Sequence, residues 1–438
     1  MRPPARNTSP SPPQSLSDWL AILETRHPRA IELGLARVDA VRHRLGLTLT
    51  CPVLTVGGTN GKGSTCAYLE AVLVDAGYRV GCYTSPHLLH YRERVRVAGE
   101  ELPEALHVAA FAAVEAARGD IPLTYFEHGT LAAVWLFRRL EVEAAILEVG
   151  LGGRLDAVNV FEPDCAVVTS VDLDHQEYLG DTREAIGREK AGIFRAGRPA
   201  VVTDPDPPAS LLERARDLGT RLLRLGHEII LETGEGGWDC RVEGRHYSAL
   251  PPPSLPGGFQ LANAAAAVTA LDTQRDRLPV TMQALRTGLA RARPPGRFQV
   301  MPGPPMIILD VAHNPQAARA LAANLARFPG GRRRLAVLGM LRDKDVGGVV
   351  RPLQHIVDAW FAAGLAGPRG LSAEELQALL AAEGIEVAGI SPDVPHALEA
   401  ACASAGAADI IIVFGSFYTV AAATGVLERG GAAADRMA

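Results

Sequence analysis

The stretch VGGTNGKGSTCAYLEAVLVDAG, from Val56 to Gly77, places a glycine-rich loop and one lysine between an apolar run and a run with helical spacing. This order predicts a strand, a loop and a helix. Glycines let backbone N–H groups approach phosphate oxygens, because no Cβ stands in the way. Lys62 supplies a positive charge for the β- and γ-phosphates, and the hydroxyl of Ser64 or Thr65 can reach a magnesium ion.

A plain glycine-rich turn with an exposed lysine is the alternative, but the flanking strand and helix patterns favour phosphate binding. The loop departs from G-x-x-x-x-G-K-[ST], since a glycine separates the lysine from the hydroxyl residue. That departure argues against an ordinary kinase or GTPase. The residues predicted to bind the phosphates are Gly58, Thr59, Asn60, Gly61, Lys62, Gly63 and Ser64.

Length and composition indicate a two-domain globular protein. The chain has 438 residues, with 47% hydrophobic and 21% charged residues, values that fit a folded rather than a disordered chain. A net charge of -5 gives no support to a nucleic-acid partner. The six cysteines form no CxxC pair, so we expect reduced cytosolic thiols and no zinc site.

Short apolar runs alternate with helical patterns, which predicts parallel sheets covered on both faces. ARPPGRF at 292–298 reads as a linker, because two prolines and a glycine stop the preceding helix. The segment 242–258 interrupts this alternation of strands and helices and predicts a small antiparallel or irregular unit. The predicted strands are 52–56, 79–84, 144–149, 165–170, 199–203, 306–310, 334–339, 357–361 and 409–415, and the predicted helices include 65–76, 103–117 and 129–140.

These patterns divide the chain into a disordered tail at 1–15, an N-terminal domain at 16–293, a linker at 294–296 and a C-terminal domain at 297–438. The uncharged segment 410–427 is near the length of a membrane span. It begins with a β-branched run, breaks at Gly415-Ser416 and then becomes alanine-rich, so we expect a buried strand followed by a helix and no membrane contact.

The string GTNGKGS is the signature of the Mur-ligase superfamily, and further motifs narrow the resemblance. From Trp19 to Val426 the chain resembles the bifunctional dihydrofolate synthase/folylpolyglutamate synthases of bacteria. The resemblance implies a P-loop α/β domain that binds ATP and a smaller Rossmann-like α/β domain. The motifs that carry it are SPHLLHYRERVRVAGE (85–100), LTYFEHGTLAAVWLF (123–137), LEVGLGGRLDAVN (147–159), DLDHQEYLG (172–180), GREKAGIF (187–194), RFQV (297–300), DVAHNPQAA (310–318) and MLRDKD (340–345).

Glu148 is the first candidate metal ligand. It ends the apolar run AAILE, and a carboxylate at the C-terminal edge of a parallel sheet lies where such folds place their ligands. Magnesium prefers hard oxygen ligands of this kind. A helix N-cap or a surface ion pair is the alternative role.

The resemblance implies three further metal-site residues. Ser85 supplies a hydroxyl oxygen, and His175 binds a second magnesium ion, although Asp172 or Asp174 could be the residue that matters in DLDHQ. Lys190 in GREKAGIF corresponds to a lysine that is carbamylated, and a carbamate supplies an anionic oxygen where an ammonium would repel the metal. By the same resemblance Lys62, Glu148, His175 and Lys190 form the catalytic set.

Other residues are assigned to ATP and to the pterin by the resemblance. Asn263, Arg297, Asp310 and His313 contact ATP, although Asp310 could instead cap a helix that starts at Pro315. Phe126 offers a flat face for a pterin ring or packs in the core. The implied pterin residues are Thr25, Arg26, His27, Thr124, Tyr125, Phe126, Glu127, Arg154, Leu155, Asp156 and Ala157.

Two positions depart from the family. Tyr418 replaces a common histidine, and Phe259 stands where many relatives have a histidine. The resemblance implies a cytoplasmic, monomeric ligase that uses ATP and Mg²⁺ to add L-glutamate to dihydropteroate and reduced folates through an acyl phosphate. The alternatives are a folylpolyglutamate synthase without the dihydropteroate reaction, a cell-wall Mur ligase, and a nucleotide-binding regulatory module that has lost catalysis.

Overall fold

The computed structural model describes residues 13–27, 31–234, 236–255 and 257–434. The N-terminal domain is built around the strand, loop and helix of the glycine-rich segment. Its helices are α1 (Leu16–Arg26), α2 (Ala36–Arg44), α3 (Lys62–Asp75), α4 (Glu104–Arg118), α5 (Tyr125–Arg139), α6 (Gln176–Leu179), α7 (Arg183–Lys190), α8 (Ala209–Leu218), α9 (Gly258–Thr273) and α10 (Met282–Arg291). Its strands are β1 (Val53–Gly57), β2 (Val80–Tyr83), β3 (Val95–Val97), β4 (Glu100–Glu101), β5 (Ala144–Glu148), β6 (Cys165–Val168), β7 (Pro199–Val202), β8 (Arg221–Arg224), β9 (Ile229–Gly234), β10 (Gly237–Val242) and β11 (Arg245–Leu250).

The large sheet has the strand order β4-β3-β2-β5-β1-β6-β7-β8. The strands from β2 to β8 pair in parallel, and β3 and β4 add an antiparallel edge. The first strand, β1, lies between β5 and β6, so the connections diverge on its two sides. A crevice therefore opens beyond its carboxyl end, where open α/β sheets bind ligands.

Both faces of this sheet are covered, as the apolar runs predict. Along β5, Leu147 packs into the core that contains α4 and α5, and Ile146 packs into the core that contains α3, α9 and α10. A Cβ at Gly288 would lie 2.6 Å from the backbone nitrogen of Val72, so the absence of a side chain there allows α10 to pack closely on α3.

A small antiparallel sheet, ordered β11-β10-β9, projects from this domain. The predicted unit at 242–258 was placed too late in the chain, since the sheet occupies 229–250. The buried carboxylate of Asp272 on α9 pairs with Arg245 and Tyr247 of β11 and ties the sheet to the helix.

The C-terminal domain repeats the α/β design on a smaller scale. Its sheet has the order β12-β13-β17-β14-β15-β16, antiparallel only between β12 and β13. Its strands are β12 (Gln299–Met301), β13 (Met306–Leu309), β14 (Arg334–Leu338), β15 (Ala359–Ala363), β16 (Val387–Ser391) and β17 (Ile410–Phe414), and its helices are α11 (Pro315–Arg327), α12 (Val346–Val350), α13 (Ala373–Ala382), α14 (Val394–Ser404) and α15 (Phe417–Ala434).

The uncharged segment at 410–427 forms the buried strand β17 followed by α15, as predicted. Among the described residues, no helix is long and apolar enough to cross a membrane. Residues 292–298 connect α10 to β12, and the exact domain division at 294–296 stays a prediction. Most of the predicted tail lies outside the described residues, although Ser15 at its end caps α1 through its side chain.

Candidate active site

A cavity of about 1460 Å³ lies between the two domains at the carboxyl ends of their parallel strands. The N-terminal domain contributes the phosphate loop and the segments after β5 and β6. The C-terminal domain contributes the segments after β13, β14 and β17. Every predicted phosphate-binding residue from Gly58 to Ser64 lines this cavity.

The phosphate loop is held in shape by contacts within the protein. The ammonium of Lys62 donates to the carbonyl oxygens of Gly58 (3.0 Å) and Thr59 (3.1 Å). Gly61 precedes α3 with φ of +88°, a conformation that favours glycine. Ser64 lines the cavity, whereas the hydroxyl of Thr65 is buried away from it and has no hydrogen-bond partner among the described residues. Ser64 is therefore the hydroxyl positioned to reach a metal ion.

Two glycines of the loop make room for other side chains. A Cβ at Gly61 would overlap the Asn263 amide, and a Cβ at Gly63 would overlap the Arg297 guanidinium. Asn263 donates to Gln260 (3.0 Å), which in turn donates to the Ser64 hydroxyl (3.3 Å). The structure thus brings Asn263 and Arg297 against the loop, where the resemblance assigned them.

Glu148 ends β5 inside the cavity and is only 3% exposed, so it is neither a helix N-cap nor a surface ion pair. One carboxylate oxygen accepts a hydrogen bond from the Ser85 backbone nitrogen (2.9 Å). Burial raises the pKa of this carboxyl, and the nearby charges of Lys62 and Arg297 oppose that rise. A buried carboxylate with a free oxygen fits a magnesium ion that takes its remaining ligands from phosphate and water.

Lys190 lies at the end of α7, where the resemblance predicts the carbamate. The side chain is 4% exposed, and no described residue accepts a hydrogen bond or forms an ion pair with its ammonium. Burial, with a contribution from Lys62, lowers the pKa of Lys190 to about 7. Asp156 is also buried, and burial raises its pKa to about 7 although Leu151 and Val158 donate backbone hydrogen bonds to it. We call Glu148, Asp156 and Lys190 the cavity floor.

His175 adopts a left-handed backbone conformation with φ of +52° after β6. Its ring lines the cavity, and burial lowers its pKa to about 4. The neighbouring carboxylates are already paired, Asp172 with Arg319 (2.9 Å) and Asp174 with Lys344 (2.6 Å). Of the three candidates in DLDHQ, His175 is the one left open to a ligand.

The two domains meet through a polar network that we call the cross-domain contact. Asp174 accepts from the amide of Asn314 (3.1 Å) as well as from Lys344. Asn60 of the phosphate loop exchanges amide hydrogen bonds with Asn314 (3.1 Å) and donates to Gln316 (2.5 Å). Although burial opposes the shift, the His313 ring at 3.6 Å and the Lys344 ammonium at 2.6 Å hold the pKa of Asp174 far below its usual range.

Asp310 follows β13 and does not cap the next helix. The side chain of Asn314 caps α11 by accepting from Ala317 (2.9 Å). Asp310 instead accepts from the backbone nitrogens of Phe298 and Ala312, both at 2.8 Å, and burial raises its pKa to about 6. It lines the cavity, and so does His313, whose ring contacts the carbonyl of Val311.

The predicted pterin residues divide into two groups. Phe126 packs against Tyr83, with ring centroids 5.8 Å apart, and lines the cavity. Thr124 and Glu127 also line it, but they form the capping box of α5 and so have a structural role as well. The other predicted residues that line the cavity are His27, Tyr125, Leu155, Asp156 and Ala157.

Three predicted pterin residues do not line the cavity. The Thr25 hydroxyl donates to Ala21 within α1. Arg26 pairs with Glu115 (2.6 Å) on α4. Arg154 is 53% exposed and pairs with Glu189. Both departures from the family pattern, Phe259 and Tyr418, do line the cavity and are exposed.

Three residues of the site received no role from the sequence, and a fourth received a different one. Asp174 was considered only as a metal ligand, and Lys344 and Arg94 lay in quoted motifs without a role. Gln260 follows Phe259 and reaches Ser64. One lysine in the loop after β14 and one arginine in the motif at 85–100 were the available signals, but their partners could not be deduced from spacing.

Comparison with known proteins agrees with this geometry. Residues 56–271 match the Mur ligase middle domain, and residues 296–417 match the Mur ligase glutamate ligase domain. The dihydrofolate synthase/folylpolyglutamate synthase of Escherichia coli (strain K12) is 48% identical over 96% of this chain and 97% of its own. That of Haemophilus influenzae is 40% identical over 94% and 98%.

Solved structures give the same result. Escherichia coli FolC in complex with DHPP and ADP matches with a TM-score of 0.91 and 47% identity, covering 96% of this chain and 99% of its own. The bifunctional folylpolyglutamate synthase/dihydrofolate synthase from Yersinia pestis complexed with AMPPNP and Mn ion matches with a TM-score of 0.89 and 48% identity, covering 96% and 100%.

Proposed function

This chain belongs to the dihydrofolate synthase/folylpolyglutamate synthase family of Mur ligases, and we propose on that premise that it joins L-glutamate to dihydropteroate and to reduced folates with ATP. It is an ATP-dependent amide-forming ligase. The observation that carries this assignment is the single cavity that holds the phosphate loop, the buried carboxylate Glu148 and the aromatic face of Phe126. One cavity can therefore bring a nucleotide phosphate to the carboxylate of a flat substrate.

The first step activates the carboxylate. A carboxylate oxygen of the pterin substrate attacks the γ-phosphorus, the bond from that phosphorus to the bridging oxygen breaks, and ADP leaves. The backbone N–H groups of the loop, Lys62 and Arg297 lie where they neutralise the charge on the transferring group. Little covalent chemistry falls to the protein, so positioning supplies most of the rate.

The second step forms the amide. The amine nitrogen of L-glutamate attacks the acyl carbon, the bond to the phosphate oxygen breaks, and inorganic phosphate leaves. The amine reacts in its neutral form and releases its protons to solvent. Water must stay out of the cavity between the two steps, because it would hydrolyse the acyl phosphate.

The residues present fit a divalent cation at the cavity floor. Among the described residues no three histidine, cysteine or acidic side chains cluster as a metal site, so a bound ion would take most of its ligands from phosphate and water. Glu148 and Ser85 would hold one ion and His175 a second, with a carbamylated Lys190 beside them. When bound, the ions would offset the negative charge of the phosphates.

Carbamylation of Lys190 is part of this proposal. The reaction needs a neutral amine, and burial provides one by lowering the pKa to about 7. No described carboxylate pairs with the amine, so it is free to react with carbon dioxide. The resulting carbamate would add an oxygen ligand beside Glu148 and His175.

An assay with two acceptors tests the proposal. The purified protein is supplied with ATP, Mg²⁺ and L-glutamate, together with either dihydropteroate or a reduced folate, and ADP and product mass are measured. We expect both acceptors to gain one glutamyl unit. Product from the folate alone would favour a folylpolyglutamate synthase, and product from neither would overturn the assignment.

Isotope labelling tests the acyl phosphate separately. Dihydropteroate labelled with heavy oxygen in its carboxylate should transfer one labelled oxygen to the released phosphate, because the amide keeps only one of the two. Unlabelled phosphate after full turnover would exclude this route. A cytoplasmic location and a monomeric state stay predictions. Cell fractionation measures the location directly, and sedimentation measures the oligomeric state.

A further inference from the structure

Seven lysine and arginine residues line the cavity among the residues that the structure describes. Three of them are neutralised by carboxylates at 2.6–2.9 Å, namely Lys344 by Asp174, Arg342 by Glu375 and Arg369 by Asp343. The other four have no carboxylate within ion-pair distance in the described chain. Three of these four already have an assigned place: Lys62 is in the phosphate loop, Arg297 lies against that loop, and Lys190 belongs to the metal site. Arg94 is the remaining one.

Within the described chain, the recorded side-chain contacts of Arg94 are all with uncharged groups. Its Nε donates to Nδ1 of His87 (2.8 Å), which must be unprotonated to accept this bond. Its guanidinium lies over the rings of Tyr125 (5.3 Å to the centroid) and Tyr91 (5.6 Å). Aromatic faces hold a guanidinium without cancelling its charge. Both terminal nitrogens of Arg94 therefore stay available as a fork of donors.

The segment that carries Arg94 is preorganised. Arg94 ends a 3₁₀ turn that begins at Tyr91. The carboxylate of Glu93 accepts hydrogen bonds from the backbone nitrogens of Leu88 and Leu89, both at 2.6 Å, and of His90 at 2.7 Å. This ties down the loop between Ser85 and the turn. A guanidinium held on such a loop loses little side-chain freedom when a ligand binds.

We propose that Arg94 forms the subsite for a substrate carboxylate that does not react, the α-carboxylate of a glutamyl unit. The inference rests on the proposed function, in which every substrate pair brings such a group into the cavity. A carboxylate matches the paired donors of a guanidinium. Tyr125 directly precedes Phe126, so Arg94 lies on the acceptor side of the cavity, where the nucleotide phosphates are not expected.

Two sources share this chemistry. The incoming L-glutamate carries an α-carboxylate in both reactions, whereas a reduced folate already carries one on its own glutamyl unit and dihydropteroate carries none. The two acceptors therefore separate the sources. The variant Arg94→Gln removes the charge, and Arg94→Lys keeps the charge but loses the fork. Arg92→Gln is the matched control, because Arg92 lies in the same turn but does not line the cavity.

The experiment measures KM for L-glutamate, for each acceptor and for ATP in the wild type and the three variants. We expect Arg94→Gln to raise one KM by about 10- to 100-fold, the effect of losing a charge-assisted hydrogen bond, with a smaller rise for Arg94→Lys. A rise in the KM for L-glutamate with both acceptors assigns the subsite to the incoming amino acid. A rise confined to the KM for the folate assigns it to the acceptor.

Two results would overturn the subsite. One is an Arg94→Gln variant whose KM values all match those of Arg92→Gln. The other is a rise confined to the KM for ATP. Product formation by the wild type tests the proposed function on its own. Calorimetric binding of L-glutamate and of a reduced folate to the same four proteins, with a non-hydrolysable ATP analogue, gives the Arg94 contrast without turnover.

Discussion

The cavity floor and the cross-domain contact both bury ionisable side chains, but they treat the charges in opposite ways. At the contact, Asp174 and Lys344 are 10% and 7% exposed and neutralise each other across 2.6 Å. On the floor, Lys190 has no ion-pair partner among the described residues, and its pKa falls to about 7. A paired charge is locked and holds two surfaces together, whereas an unpaired buried group can change its charge when a ligand arrives. Within one cavity, the paired charges therefore join the two domains, and the unpaired buried groups remain available for the reaction.

The largest expected effect comes from the phosphate loop above the floor. Lys62→Ala should lower kcat by about 100- to 1000-fold, the usual cost of removing one preorganised group that stabilises transferred charge. The thermal midpoint should change little, because the two recorded bonds of the ammonium lie within its own loop and join no other described element. Steady-state kinetics and calorimetry check both values. Turnover near that of the wild type would remove the loop from the mechanism.

The next prediction concerns Lys190 and tests whether its amine becomes an anionic carbamate. Lys190→Ala should lower activity by about 100-fold if the carbamate is a metal ligand, and added formate or acetate should restore part of it. Lys190→Arg is the matched control, since it keeps a cation and cannot form a carbamate, so small carboxylates should not rescue it. Wild-type activity should rise with bicarbonate.

The pH dependence of carbamylation follows from the same pKa. The neutral amine that reacts becomes the major form as the pH rises through about 7, so labelled bicarbonate should add more carbamate at pH 8 than at pH 6. Carbon NMR of the protein with labelled bicarbonate measures this directly. An amine that stays unmodified at pH 8 with Mg²⁺ and ATP present would contradict the prediction.

A smaller effect is expected at the cross-domain contact. Asp174→Asn and Lys344→Met should each lower kcat/KM by about 10-fold, and the double variant D174N/K344M should be no worse than either, because the two groups act as one unit. Arg351→Met is the control, since Arg351 pairs with Glu383 inside the C-terminal domain. Additive losses, or a KM effect on L-glutamate from Lys344 alone, would show that Lys344 binds substrate instead.

The smallest expected effect on activity concerns two buried histidines that do not line the cavity. His107 and His128 lie among aromatic rings without hydrogen-bond partners among the described residues. Burial lowers their pKa values to about 4 and about 3. Because these values lie below the unfolded value of about 6.5, the unfolded chain binds more protons between pH 6.5 and 4. Stability is therefore fully present above pH 6.5 and falls as the pH drops.

Urea unfolding of His128→Phe measures this loss. Between pH 7 and pH 5 the free energy of unfolding should fall in both proteins, and the fall should be about 2 kcal/mol smaller in the variant. The difference is the contribution of one histidine that is protonated in the unfolded chain but not in the folded protein. Activity at pH 7.5 should be unchanged. The exposed His355 provides the control, and His355→Phe should leave the wild-type slope unchanged. Equal slopes in all three proteins would show that folding does not lower the pKa of His128.

Much of the fold was predictable, because it depends on local patterns. The apolar runs at 144–149 and 165–170 correspond to β5 and β6. The glycines between the first apolar run and the helical pattern predicted the loop that leads into α3. The motif resemblance placed Glu148 and Lys190 at one cavity. Burial of both residues, and the pKa shifts that follow, required the structure, because they depend on what packs around the strand ends.

What could not be predicted depends on contacts between distant segments. Nothing in the spacing of Asp174 and Lys344 shows that they meet, since 170 residues separate them. The direction of a helical side chain depends on how the helix packs, which is why Arg26 faces Glu115 on α4 instead of the cavity. The small sheet was located imprecisely because β9 and β10 are half exposed and carry no long apolar run.

The unusual glycine at position 63 has a consequence for how the two domains recognise each other. A methyl group there would meet the Arg297 guanidinium, and the end of a flexible side chain moves more easily than a helix. Gly63→Ala should therefore displace one arginine while leaving α3 intact. The extra glycine that distinguishes this loop from ordinary nucleotide-binding loops leaves a space, and the Arg297 guanidinium of the C-terminal domain fills it. A chimaera that takes one domain from another protein must therefore keep a glycine at position 63 together with an arginine at position 297.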